Sequence, residues 1–359
     1  KSPKQQLAWS HPEFGQALAV AADDGTVSVW VEEGGPRVVE TGGGEGGGNG
    51  NKTKLWQRAA TFESGSRGAA LALAFAPAVH GPRLAVGWGD GVVRVYSARS
   101  LLLGCAGTTT TATATAALPL PAAASWELES QFEASRPPAS SPVTSLCWRP
   151  HYAGGAGEKL PPLLAVGTAA RRQQERRSGG VFGVGGGNEN NGIEGGGGSS
   201  VWLFRTPLLR WTRACTLDPS GDVSAVAWAP AGSPAAPERV ATAIKDKVRV
   251  FALAGAADAL VSSSSPSSSS SSSSAPVLPE AVLKHSAPIW RLEWAPLGGG
   301  WLAAGTERGT VALWRQDLRG EWGARGAVVC DEAAAASSPS TASMAQQQDA
   351  ASGLSTVVV

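Results

Sequence analysis

The fold is decided by one stretch near the end of the chain, which reads IWRLEWAP over residues 289–296, WLAAGT over 301–306 and GTVALW over 309–314. The first segment alternates large apolar and polar residues with a period of two. The second segment is small and apolar, and the third ends in tryptophan after an apolar run. These patterns predict three short β-strands joined by tight turns.

The same three-strand unit recurs four times earlier in the chain. In each unit one aromatic residue closes the first strand and another closes the third. The two aromatics are 21, 21, 23 and 20 residues apart in units one, two, four and five, and 56 apart in unit three. The first-strand aromatics are Trp9, Phe75, Trp148, Trp228 and Trp294. The longer spacing in unit three comes from a charged and then glycine-rich insertion, which a hairpin loop can absorb at small entropic cost.

A fourth strand follows each unit and most often opens with tryptophan, as at Trp56, Trp126, Trp211 and Trp322. Four strands per unit make a propeller blade, and the repeat length without insertions is close to the roughly 40–45 residues of a WD repeat. The sequence therefore predicts an all-β, open WD-repeat propeller over residues 1–329, with five visible blades. Low-complexity loop insertions are expected at 34–51, 104–124, 171–199 and 254–276, and a disordered tail at 330–359.

Composition and charge argue against several other classes of protein. The 359 residues carry a net charge of +1, and the only basic cluster is at 171–177, so direct nucleic-acid binding is not expected. The four cysteines are far apart in sequence, which predicts no metal site and a reduced, intracellular protein. The longest apolar runs, such as 69–79, are shorter than the roughly 20 residues of a membrane span, so no membrane insertion is expected.

The sequence offers no candidate catalytic or cofactor-binding residues. His11 precedes a proline and is interpreted as a turn residue, since no serine or cysteine nucleophile in a recognisable turn accompanies it. The glycine-rich segment 87–91 is followed by a predicted strand, whereas a dinucleotide-binding loop requires a helix. We therefore expect a protein without enzymatic activity and without a cofactor.

Two segments carry a resemblance to a known family. AWSHPEFGQALA at residues 8–19 and IWRLEW at 289–294 resemble the Seh nucleoporins, nuclear-pore relatives of the COPII coat protein Sec-thirteen. WD-type turn aspartates precede the third strand at Asp24, Asp90 and Asp246, whereas the third unit lacks one and the fifth has Arg308 instead. The resemblance covers residues 5–329 without the insertions. It implies an open six-bladed propeller, so a first blade is expected to be lost, truncated or unrecognised.

The resemblance also implies a function. A helical scaffold nucleoporin would complete the open propeller in trans by inserting one blade through strand addition. The protein would then be a structural member of the nuclear-pore outer ring, the Y complex, with other Y-complex nucleoporins as partners and a role in nucleocytoplasmic transport. It would lie in the nuclear envelope, and a second location at the lysosome or vacuole membrane surface is open. The alternatives are a COPII-type vesicle coat propeller or a nutrient-signalling WD adaptor.

Specific residues can be assigned to these roles. The first-strand tryptophans Trp9, Trp148, Trp228 and Trp294 are expected to pack in the core between blades. For the fourth-strand aromatics, packing and partner contact both remain open. The open seam should lie near the two ends of the propeller, so five residues are predicted to bind the partner. They are Phe14, Trp290, Arg291, Glu293 and Trp322.

Overall fold

The computed structural model describes the chain in segments separated by gaps. The described residues are 6–22, 24–33, 55–64, 68–99, 125–135, 141–150, 161–170, 197–205, 208–219, 221–230, 237–253, 277–296, 300–329 and 357–358. The predicted insertions at 34–51, 104–124 and 254–276 lie outside them, as do the basic cluster at 171–177 and most of the tail at 330–359.

The first compact unit, Lys1–Ala134, contains two antiparallel sheets of four strands, which we call blades 1 and 2. Blade 1 consists of β1 (Gln6–Trp9), β2 (Ala17–Ala21), β3 (Thr26–Glu33) and β4 (Leu55–Glu63). Blade 2 consists of β5 (Ala70–Phe75), β6 (Arg83–Trp88), β7 (Val92–Arg99) and β8 (Ser125–Glu133). Short 3₁₀ helices at Pro12–Phe14 and Ala78–His80 connect the first two strands of each blade.

The second compact unit, Ser135–Val359, contains three further sheets, blades 3 to 5. Blade 3 consists of β9 (Val143–Trp148), β10 (Leu163–Thr168), β11 (Gly198–Arg205) and β12 (Arg210–Asp218). Blade 4 consists of β13 (Val223–Trp228), β14 (Arg239–Ile244), β15 (Lys247–Ala252) and β16 (Ala281–Lys284). Blade 5 consists of β17 (Ile289–Trp294), β18 (Trp301–Thr306), β19 (Thr310–Gln316) and β20 (Trp322–Val329), and β21 (Val357–Val358) pairs in parallel with β20.

The predicted fold class is confirmed by these sheets. Within every blade the four strands follow one another in chain order, as in a WD-repeat blade, and all five predicted units form such a sheet. The strand bounds agree with the sequence patterns to within one to three residues. One difference concerns the 171–199 insertion, because β11 already begins at Gly198.

Alternating apolar side chains build the cores of the blades. In β2 the buried residues are every second one, Ala17, Ala19 and Ala21, because successive side chains of a strand point to opposite faces. All six residues of β10 are buried, so this strand is covered on both faces. In blade 3 the small and apolar second segment of the sequence unit therefore becomes a strand with little exposed surface.

A recurring aromatic pair joins the first and fourth strands of four blades. In each of these blades, the fourth-strand tryptophan meets the first-strand aromatic edge to face, with ring centroids 5.7–6.3 Å apart. The pairs are Trp9 with Trp56, Phe75 with Trp126, Trp148 with Trp211, and Trp294 with Trp322. The aromatic residues that recur in the first and fourth strands thus have a structural role in four of the five blades, because edge-to-face pairs add stability beyond their buried area.

A β-bulge recurs at one position in the first strand of blades 2 to 5. In β17, Ile289 pairs with Thr306 and Arg291 pairs with Gly305. Trp290, which lies between them, therefore has no paired residue on β18. The equivalent register shifts occur in the other three blades. The bulge residues are Leu71, Thr144, Ser224 and Trp290, each four positions before the first-strand aromatic.

The aspartate in the turn before the third strand closes that turn with its side chain. In blade 1, Asp24 Oδ1 accepts hydrogen bonds from the Thr26 backbone N–H at 2.8 Å and from the Thr26 hydroxyl at 2.7 Å. Asp90 Oδ1 accepts the N–H of Val92 at 2.9 Å in blade 2. The glycine after each of these aspartates has a φ of 85°, a conformation that glycine adopts without strain. The aspartate and glycine of the WD-type turn therefore have separate roles.

The hydrogen bonds to Asp24 predict a pH effect. They hold the pKa of Asp24 below its usual 3.8, the Thr26 hydroxyl being the largest cause. A lowered pKa in the folded state stabilises the fold above the unfolded pKa, and this stabilisation is lost as the pH falls through the folded pKa. Replacing Thr26 by valine should therefore raise the pKa of Asp24 towards 3.8, as measured by NMR titration. Ser28→Ala is the control, since the Ser28 hydroxyl accepts from Trp30 Nε1. An unchanged pKa in Thr26→Val would contradict the assignment.

Candidate partner interface

In the second unit, the first strands of consecutive blades lie side by side, β9 against β13 and β13 against β17. Each of these strands ends in a buried tryptophan, Trp148, Trp228 or Trp294, with an exposed fraction of 4–5%. These three tryptophans confirm the expected core packing. Residues that lie the same number of positions before the tryptophan are treated as equivalent in the three strands. The residue four positions before the tryptophan is the bulge residue in each strand.

Side chains of β9 bind the backbone of β13. The hydroxyl of Thr144, the bulge residue, donates to the Val223 carbonyl at 2.6 Å. Ser145 Oγ accepts the Val226 N–H at 2.9 Å, and Cys147 Sγ accepts the Trp228 N–H at 3.3 Å. The blade 3–4 interface thus satisfies backbone groups of β13 that its single partner strand β14 does not use.

The interface between blades 4 and 5 repeats part of this pattern. The Ser224 hydroxyl, again the bulge residue, donates to the Ile289 carbonyl at 2.6 Å. The two remaining positions hold Ala225 and Ala227, which have no polar side-chain atom, and Trp294 Nε1 instead donates to the Ala227 carbonyl at 3.1 Å. The hydroxyl of the bulge residue is therefore the shared element of the two blade interfaces.

The cysteine at the blade 3–4 interface is kept in its thiol form. Burial raises the pKa of Cys147 to about 11, although the hydrogen bond from the Trp228 N–H acts in the opposite direction. Burial likewise raises the pKa of Cys215 to about 11. Both thiols are therefore protonated at neutral pH, and a raised pKa is typical of structural rather than reactive cysteines.

In blade 5 none of the described strands covers the equivalent face of β17. Trp290, Arg291 and Glu293 occupy the positions held in β9 by Thr144, Ser145 and Cys147. All three are exposed, Trp290 with 45% of its surface, whereas Leu292 and Trp294 are buried against blade 4. Blade 5 therefore exposes the set of positions with which blades 3 and 4 bind the following blade.

In the first unit, one apolar face of β1 is exposed. Leu7 and Trp9 are 56% and 60% exposed. Their equivalents in the second unit, Leu292 and Trp294, pack on the preceding blade and are 3% and 5% exposed. The expected core packing of Trp9 is therefore wrong. The alternating sequence pattern identifies the apolar face of a strand, but it does not say whether a neighbouring blade covers that face.

The other two predicted partner-binding residues lie elsewhere in their blades. Phe14 ends the 3₁₀ helix Pro12–Phe14, is 6% exposed and belongs to the core of the first unit. Trp322 is half-buried and packs edge to face on Trp294 at 5.7 Å. Thus Trp290, Arg291 and Glu293 are exposed side chains of one strand, and Phe14 and Trp322 do not join them. Partner binding by these five residues remains a prediction.

The described part of the chain contains no group of three or more His, Cys, Asp or Glu side chains arranged to hold a metal ion. Over the same residues, no helix has the length and apolar character needed to cross a membrane. What the interface offers chemically is hydrogen bonding and apolar contact. Glu293 can accept hydrogen bonds, Arg291 can donate them, and Trp290 combines an apolar ring with one N–H donor.

Known proteins resemble part of this chain. Nucleoporin SEH1 of Saccharomyces cerevisiae is 33% identical over 92 residues, which is 26% of this chain and 23% of the yeast protein. Nucleoporin SEH1-A of Xenopus laevis is 35% identical and nucleoporin SEH1 of Homo sapiens 34% identical, each over 97 residues, or 27% of this chain and 24% of the relative.

No protein-family model matches the sequence. The aligned stretch spans about a quarter of the length of the curated relatives. The resemblance inferred from the sequence motifs is confirmed to that extent: over about a quarter of its length, this WD-repeat chain is related to nucleoporin SEH1.

Proposed function

We propose that this protein is a structural scaffold nucleoporin of the outer ring, or Y complex, of the nuclear pore. In this role it binds a helical scaffold nucleoporin, which adds a blade to the uncovered face of β17. Its other partners are further Y-complex nucleoporins, and its location is the nuclear pore in the nuclear envelope. Its contribution to nucleocytoplasmic transport is assembly of the pore scaffold and involves no catalytic step.

The observation that carries the proposal is the exposed face of β17. Blades 3 and 4 each present these strand positions to the first strand of a following blade. In blade 5 the same positions are exposed, and they carry a large aromatic ring and two opposite charges. A further blade is the partner inferred for this face, because the equivalent positions of blades 3 and 4 both contact the first strand of a following blade.

The names of the relatives support a nuclear-pore complex as the setting of this interaction. The related proteins are nucleoporins by name, which favours a pore scaffold over a vesicle coat. Trp290 would be the largest apolar contribution of β17 to such a contact. A tryptophan buries on the order of 150–250 Å², so covering the exposed half of Trp290 contributes about 2–3 kcal/mol at roughly 25 cal/mol per Å².

The test is binding to a helical scaffold nucleoporin, followed by size-exclusion chromatography and native mass spectrometry after co-expression. The wild-type chain is expected to form a one-to-one complex. The double variant Trp290→Ala/Arg291→Ala should weaken that complex by about tenfold to a hundredfold, because it removes the exposed ring and a charged donor from the interface.

The matched control is Trp301→Ala in the neighbouring strand β18, where the ring is 37% exposed and lies beneath Arg315 at 5.2 Å. This variant should bind as the wild type does. The proposal is overturned if the wild-type chain does not bind the nucleoporin and instead binds a helical coat protein of the COPII type. Unchanged affinity in a folded double variant would place the contact away from β17.

A further inference from the structure

The blade 3–4 interface shows how one first strand recognises the next. Two of the β9 side chains on this face accept backbone N–H groups of β13, Ser145 from Val226 and Cys147 from Trp228. The two acceptors are two residues apart, as are the two N–H groups, which matches the period of a β-strand. Recognition is directed at the backbone of the incoming strand and requires no particular side chain on it.

The equivalent positions in β17 carry different chemistry. Glu293 stands where β9 has Cys147, and it replaces a weak sulfur acceptor by a carboxylate, which accepts hydrogen bonds at either oxygen. Arg291 stands where β9 has Ser145, and a guanidinium donates hydrogen bonds and accepts none. Trp290 replaces the hydroxyl of the bulge residue, and its indole N–H is also a donor. The face of β17 therefore combines one strong acceptor with two donors.

We propose that Glu293 binds the partner blade through the backbone. Its carboxylate accepts the N–H of the residue that takes the place of Trp228 in the partner's first strand, and Arg291 donates to a carbonyl or carboxylate oxygen two residues earlier in that strand. This inference rests on the proposed function, because it assumes that a partner blade covers β17. The occupant is the first strand of that blade, and the interface continues the one already formed between blades 3 and 4.

There is a physical reason for β17 to carry charged side chains where β9 carries a serine and a cysteine. Between blades 3 and 4 the two strands belong to one chain, so a weak hydrogen bond to sulfur suffices to fix their register. A blade supplied by another polypeptide also loses translational and rotational freedom on binding. Hydrogen bonds to an ionised group are shorter and about twice as strong as those between neutral groups. A carboxylate at position 293 thus strengthens the contact where association is intermolecular.

The experiment uses the full chain and the helical scaffold nucleoporin with its blade segment. Affinity is measured by titration calorimetry for wild type, Glu293→Gln and Glu293→Ala. Glutamine keeps an acceptor oxygen without the charge and should weaken binding about threefold to tenfold, whereas alanine should weaken it about tenfold to a hundredfold. Glu307→Ala is the control, because Glu307 is an exposed glutamate of the same blade that lies in the turn between β18 and β19.

A second measurement distinguishes backbone recognition from general charge attraction. Hydrogen exchange of the complex should show one partner-strand amide that is protected with wild type and exchanges faster with Glu293→Ala. If wild type binds while Glu293→Ala binds equally well and leaves exchange unchanged, the inference is wrong and the proposed function stands. If the wild-type chain does not bind the nucleoporin at all, the proposed function fails and this inference fails with it.

Discussion

Replacing Trp294 by alanine is expected to lower the free energy of unfolding by about 3–5 kcal/mol, the range for removing a buried tryptophan. The ring is 5% exposed, its Nε1 donates to the Ala227 carbonyl of the preceding blade, and it packs edge to face on Trp322. The substitution therefore leaves a cavity, removes a hydrogen bond between blades and breaks the aromatic pair of blade 5. Urea denaturation followed by far-UV circular dichroism measures the loss.

Trp301→Ala is the matched comparison for this prediction. Trp301 lies in the same blade, is 37% exposed and contacts the Arg315 guanidinium at 5.2 Å. Its removal should cost less than that of Trp294, about 1–3 kcal/mol, because the Trp301 side chain is only partly buried and its cation–π contact is exposed. Equal losses in the two variants would mean that Trp294 does not hold blades 4 and 5 together.

Replacing Asp218 by alanine is expected to lower the free energy of unfolding by about 3 kcal/mol. The Asp218 carboxylate ends β12 and is 2% exposed. It accepts the Thr242 hydroxyl at 2.8 Å at one oxygen and forms an ion pair with Arg249 at the other. Because both partners belong to blade 4, the carboxylate links blades 3 and 4. Removing one member of a buried polar network leaves the other members unsatisfied.

The control for Asp218 is Thr242→Val, which has the same shape but lacks the hydroxyl. Thr242 is fully buried, and its substitution leaves the Asp218–Arg249 pair in place. A loss of about 1 kcal/mol is expected, close to the net contribution of one hydrogen bond. Thermal or urea denaturation of both variants gives the comparison. If Asp218→Ala costs no more than Thr242→Val, the ion pair adds nothing to the blade interface.

The sequence predicts the strands well because each strand has a simple physical signature. The alternation in 289–294 and the apolar run in 301–306 each become a strand of the expected length. The recurrence of an aromatic residue at the end of the first strand also has a cause, since in four blades it pairs with a fourth-strand tryptophan. Strand formation and aromatic pairing within a blade depend on short segments of sequence, so the patterns in those segments predict them.

The surroundings of some residues depend on neighbours that a sequence pattern cannot show. Phe14 is followed by a glycine in a segment that reads as a turn, yet a one-turn 3₁₀ helix brings its ring into the core. Trp9 has the same apolar context as Trp294 but no covering blade in the described residues. The sequence also contains an indication of the blade interface that was not used for prediction. Thr144 and Ser224 place a hydroxyl group in a largely apolar first strand, and these hydroxyls donate to the backbone of the next blade.

The order of strands within each blade also bears on how the protein folds. All four strands of a blade are consecutive and are joined as hairpins, so each strand pairs with the strand before or after it in the chain. Local pairing of this kind favours fast folding, and it allows a blade to form as soon as its fourth strand leaves the ribosome. Lengthening a hairpin loop adds only a slowly growing closure entropy. The long low-complexity insertions of this sequence therefore delay the closing of individual hairpins without changing which strands pair.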